Sequence, residues 1–123
     1  MARVRRRSRR SSFPNTPGYV SRGADFGVES TLSGLSFLSR WKRWKTCGYR
    51  IEVIYLSLPS AEVAVRRIAQ RVRQGGHSVP TADVVRRFER IWTNFREFYR
   101  PMADAWILYD NSGDTPRLIE SGP

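Results

Sequence analysis

Residues 49–72, YRIEVIYLSLPSAEVAVRRIAQRV, decide the fold class. From Tyr49 to Leu58 the chain is almost continuously apolar and rich in β-formers: Ile51, Val53, Ile54, Tyr55 and Leu56. Such a run reads as a strand covered on both faces, as parallel strands are. Pro59 and Ser60 break it. Ala61, Ala64, Val65, Ile68, Ala69 and Val72 then recur at three-and-four spacing, with Arg66, Arg67, Gln70 and Arg73 away from that stripe. A buried strand feeding an amphipathic helix is half of a crossover unit, so the fold class is α/β.

Continuing outward, Arg71 to Arg90 reads RVRQGGHSVPTADVVRRFER: two helical segments around a Gly-Gly-His turn that Pro80 closes. Its arginines are Arg71, Arg73, Arg86, Arg87 and Arg90. Guanidinium groups grip phosphate oxygens bidentately, and glycines let a hinge swing over a ligand. The pattern fits a mobile phosphate clamp, and equally two solvated arginine faces around an ordinary turn. Val84, Phe88, Ile91, Phe95 and Phe98, widened by Val85, Trp92 and Tyr99, keep a helical period and read as core. Arg86 and Arg90 fall opposite that stripe, while Arg87 and Asn94 fall at its border, within reach of a cleft. Pro101 ends the helix. Trp106 to Tyr109 is a second strand, expected to pair in parallel with the first across the helical crossover. Asp110-Asn111-Ser112-Gly113 is a turn, and Leu118 and Ile119 suggest an edge strand.

Upstream, Phe26 and Val28 suggest a short strand that ends at Glu29-Ser30-Thr31-Leu32-Ser33-Gly34. A carboxylate and hydroxyls at a strand end suit a ligand-facing loop, although Ser and Thr before a helix are also good N-caps. Leu35, Leu38, Trp41 and Trp44 follow at helical spacing, and Gly48 supplies the stop.

The formal net charge is +11, and six arginines within the first ten residues carry more than half of it. Residues 1–24 mix that run with Ser, Pro, Gly and Asn and read as a disordered basic tail, able to track nucleic-acid phosphates through residues 1–10 or simply solvated. Cys47 is the single cysteine, which allows no internal disulfide and no cysteine-only metal site. Apolar residues make up 40% of the chain and no run approaches a membrane span, so a cytoplasmic protein is expected, with no membrane partner.

In order, FGVESTLSG (26–34), GYRIEVIYLSLPSAEVA (48–64), RVRQGGHSVPTADVVRRFER (71–90), NFREFY (94–99) and WILYDNSG (106–113) resemble the zeta-toxin-like family of P-loop kinases. The resemblance implies a partial P-loop kinase domain over residues 25–120, with few parallel strands, flanking helices and a helical arginine lid. It also implies ATP and Mg2+ as cofactors, and a nucleotide or phosphorylated small molecule as ligand. Family members classed as zeta toxins phosphorylate UDP-N-acetylglucosamine and are paired with an antitoxin, so an antitoxin is a further implied partner. Carried onto this chain, Glu29, Thr31, Ser33 and His77 would face substrate, and Arg73, Arg86 and Arg87 would neutralise the transferring phosphoryl group. Gly75 and Gly76 match the lid turn, and Asp110 and Asn111 match a loop near the nucleotide. No metal ligand is assigned.

The sequence departs from the family in three places. Ser30 replaces a Thr, Leu35 stands where a basic residue is common, and no G-x-x-x-x-G-K-[ST] occurs anywhere. That loop's amides and lysine hold the β- and γ-phosphates and its hydroxyl holds Mg2+. The expectation is therefore a truncated kinase homologue, inactive alone. The alternative is a non-catalytic module that holds polyanions, nucleic acid included, through the basic tail and the lid arginines.

Overall fold

The computed structural model describes the backbone of residues 2–6 and all of residues 24–123. Its strands are β1 (Ala2–Arg6), β2 (Phe26–Val28), β3 (Tyr49–Ser57), β4 (Ala105–Asp110) and β5 (Arg117–Gly122), in the sheet order β2-β1-β3-β4-β5. The helices are α1 (Phe37–Thr46), α2 (Ala61–Arg73) and α3 (Thr81–Asn94). After α3 the helix continues through a π-helical segment (Phe95–Tyr99) and a last turn (Arg100–Met102).

β3 and β4 pair in parallel, from Glu52 opposite Ala105 to Ser57 opposite Asp110, with α2 and α3 forming the crossover between them. Every other ladder is antiparallel, so the sheet is mixed. β1 alters the expectation for the N-terminus. Ala2–Arg6 lies between β2 and β3, with Val4 in register with both Phe26 and Ile51. A run of like charges opposes burial of side chains, but a ladder is made by backbone groups. Met1 and residues 7–23 of the expected tail lie outside the described residues.

β3 is not covered on both faces. Tyr49, Ile51 and Val53 are buried, while Arg50, Glu52 and Ile54 between them are only half-buried and Leu56 is exposed. Arg50 and Glu52 pair with each other at 3.3 Å on the wetter face. That alternation is the period of a strand with a single packed face.

The packed face meets α1 and the π-helical segment in an aromatic core. Trp41 and Tyr99 cross edge to face at 5.0 Å, and Tyr55 stacks on Phe95 at 4.2 Å. Phe26 packs edgewise on Trp44 and Tyr49, at 5.1 and 5.5 Å. Rings in these geometries add roughly 0.5–1.5 kcal/mol per pair beyond area burial.

Three readings of helical periodicity need correction. Leu35 is exposed, because α1 starts only at Phe37. The stripe of α2 lies against α3 with no side chain fully buried, and Val72 is exposed. Phe98 is exposed while Phe95 and Tyr99 are wholly buried. The π-helical segment inserts one residue into the period, which turns Phe98 outward and brings Tyr99 to the core.

Candidate functional site

The loop after β2 is held in a conformation its sequence does not favour. Leu32 has φ 55°, the left-handed region, and its side chain is buried. For a bulky residue that conformation costs on the order of 1–3 kcal/mol, so surrounding contacts must impose it. Three hydrogen bonds do so. The Ser30 hydroxyl oxygen accepts from the Leu32 N–H (3.2 Å), Asn94 Nδ2 donates to the Leu32 carbonyl (2.8 Å), and the Tyr99 hydroxyl donates to the Gly34 carbonyl (2.6 Å). Asn94 ends α3 and Tyr99 ends the π-helical segment, so the irregular helix is the brace for residues 30–34.

The braced loop, through Ser30, Thr31 and Leu32, lines a cleft of about 630 Å3. Its lining also includes Glu29, the helix residues Arg71 and Ile91, and the strand residues Val53 to Leu56 with Leu58. The cleft therefore includes the carboxyl-terminal half of β3, the place where open α/β sheets bind ligands. Trp41 also lines it. Its side chain is 0% exposed, and its indole N–H has no hydrogen-bond acceptor among the described residues. A buried donor without an acceptor costs about 1–3 kcal/mol. Burial also pushes the Tyr55 phenol up to about 12, so this lining residue stays neutral.

The structure brings together only some of the expected site residues. Glu29 and Thr31 share the main cleft. Ser33 lies round the other side of the loop, in a hollow of about 350 Å3 shared with Thr31, Ser36 and Arg40, and it accepts a 3.0 Å bond from the Thr31 hydroxyl. His77, Arg73, Arg86 and Arg87 are exposed and line neither space. Arg86 is engaged by Asp83 one turn away.

The glycines of the expected hinge have a defined local task. Gly75 has φ 96° and donates its N–H to Val72 O, while Gly76 donates to Arg71 O at 2.8 Å. This pair of bonds is a Schellman motif that terminates α2.

Asp110 and Asn111 are occupied with their own turn. Asp110 accepts from the Ser112 N–H at 2.9 Å and from Arg117 at 3.3 Å. These contacts, Ser112 first, hold its carboxyl below the usual carboxylate range. The Asn111 N–H donates to Ser57 O at 2.8 Å, and its carbonyl accepts from Arg67. A small hollow of about 560 Å3 adjoins this turn, lined by Asp110, Ser112, Thr115 and Arg117.

Sequence reasoning missed two residues as cleft components. Arg71 was grouped with the other lid arginines, although a position two residues before Arg73 lies on a different side of the helix. Trp41 shows in the sequence only as one of the apolar residues at helical spacing after Gly34. The cofactors implied by the resemblance gain no donor set here. Among the described residues no group of three or more His, Cys, Asp or Glu could hold a metal ion, and the Asp110 carboxylate and the Asn111 backbone are bonded within the protein.

No protein-family model matches the chain, and no solved structure matches it. The chain is similar to an uncharacterized protein of Haemophilus influenzae, 38% identical over 61 residues. That match covers 50% of this chain and 43% of the relative, so the chain spans less than half the length of the curated protein it matches. Among the described residues no helix is long and apolar enough to cross a membrane.

Proposed function

We propose that the chain is a zeta-toxin-like kinase homologue that binds a phosphate-bearing small molecule in the Glu29–Arg71 cleft and does not transfer phosphate by itself. One observation carries the reading. A hydroxyl and carboxylate loop, an exposed arginine and the Trp41 side chain all border one cleft at the end of a parallel strand. Arg71 supplies the charge-assisted grip on phosphate oxygens, and Ser30, Thr31 and Glu29 address hydroxyl groups of the ligand. Phosphoryl transfer additionally needs a phosphate cradle and its lysine, and these 123 residues contain no G-x-x-x-x-G-K-[ST].

Isothermal titration with pyrophosphate and ATP tests this reading. Binding on the order of millimolar is expected. Arg71→Gln should weaken it at least fivefold, and Arg73→Gln with Arg87→Gln less. Unchanged binding in Arg71→Gln contradicts the assignment.

The second reading, a polyanion-binding surface, is favoured by a separate observation. Arg73, Arg87 and Arg90 are exposed on the α2–α3 pair, and none forms an ion pair among the described residues. That reading requires single-stranded nucleic acid to compete with pyrophosphate and to bind with a steep salt dependence.

A further inference from the structure

β5 is one of the two edge strands of the sheet, and among the described residues no strand pairs with its outer edge. Leu118 and Ile119 at its centre are 57% and 52% exposed. Edges of this kind pair with other strands unless bulges, charges or short length prevent it. β5 carries both a bulge and charges, but the two are arranged in an unusual way.

Asp110 opposes Arg117, Tyr109 opposes Leu118 and Leu108 opposes Glu120, so Ile119 is the extra residue of a β-bulge. Leu108 and Asp110 are two apart on β4 and share a face. Directly opposed residues also share a face, so Arg117 and Glu120 lie on the same side of the sheet. In a regular strand, residues three apart would lie on opposite faces. The bulge thus places a positive and a negative side chain on one face, symmetrically about the Leu118–Ile119 peptide.

We propose that β5 is a self-association strand. Two copies of this chain join antiparallel, β5 to β5, about a twofold axis between Leu118 and Ile119. In that register Arg117 faces the partner's Glu120, and Leu118 faces the partner's Ile119. Each opposite-charge or apolar pair directly across a ladder is favourable, and the twofold axis makes every pair occur twice. Arg117 already leans on Asp110 at 3.3 Å on this face, which limits the conformational freedom it must lose. The contact is small, so the dimer is weak and depends on concentration. The proposal is independent of what the Glu29–Arg71 cleft binds.

Sedimentation velocity on the full chain, from micromolar to near-millimolar concentration, tests it. The weight-average mass should rise from 14.3 kDa towards twice that value. Glu120→Arg alone, and Arg117→Glu alone, place like charges opposite each other and should hold the mass at the monomer value. An equimolar mixture of these two variants restores both opposite-charge pairs and should recover the dimer. Urea midpoints of the two variants establish that each is folded. A wild-type chain that stays monomeric throughout overturns the proposal. So does a Glu120→Arg variant that dimerises like wild type, or a mixture of folded variants that does not associate.

Discussion

Asn94 Nδ2 donates a 2.8 Å hydrogen bond to the carbonyl of Leu32, sixty-two residues away in sequence. Asn94 is 7% exposed and sits where α3 passes into its π-helical segment. Leu32 is the one non-glycine residue with positive φ among the described residues. The bond therefore joins a helix irregularity to a backbone irregularity in a loop that lines the cleft.

Removing that bond should loosen the loop and destabilise the fold. Asn94→Ala leaves the Leu32 carbonyl without its donor and should cost about 1–3 kcal/mol in urea unfolding. Tyr99→Phe removes only the hydroxyl bond to Gly34 O and should cost about 0.5–1.5 kcal/mol. Because both brace one loop, the double variant should lose less than the sum of the two. Strict additivity would show that the loop is not a single braced unit.

The turn between α2 and α3 should tolerate no side chain at either glycine. Gly75→Ala forces a β-carbon into a left-handed conformation and should cost about 1–2 kcal/mol. At Gly76 an added β-carbon would lie 2.9 Å from Arg71 O, so the Schellman bond must lengthen. Both variants should lower the thermal midpoint. If both leave it unchanged, the turn is a loose hinge after all.

Asp110 should make stability depend on acid. Its folded pKa lies below the ordinary value, so between the two values the unfolded chain binds more protons and stability rises with pH. The contribution is present above the unfolded carboxylate pKa, about 3.9, and is lost as pH falls through the lower folded value. Asp110→Asn should therefore be less stable than wild type near neutrality, and the gap should close at acid pH. A gap that stays constant would mean the carboxylate's charge is not what the turn uses.

The parallel pair was legible because apolar runs flanking a helical period leave few alternatives. Tyr49–Ser57 and Ala105–Asp110 pair in parallel as the crossover required. The single packed face of β3 was also written there, in Arg50 and Glu52 alternating with Tyr49, Ile51 and Val53, but the apolar total obscured the period. Phe98 and Tyr99 exchanged roles because a π-helical insertion changes the phase without altering composition. For the cleft, Glu29 and Thr31 were visible as polar residues at a strand end. Asn94 was visible at the border of its helical stripe, but its partner carbonyl sixty-two residues away, like the acceptor-less indole N–H of Trp41, is a property of tertiary packing.

The Trp41 indole N–H tests the central claim most directly. The chain has four tryptophans, so a proton–nitrogen correlation spectrum carries four indole signals that can be assigned by substitution. On addition of pyrophosphate, the Trp41 signal and the amides of Thr31 and Leu32 should shift together and saturate, and Arg71→Gln should abolish the saturation. Shifts confined to residues 1–10, with the Trp41 signal unmoved, would place anion binding on the basic N-terminus and contradict a phosphate site in the cleft.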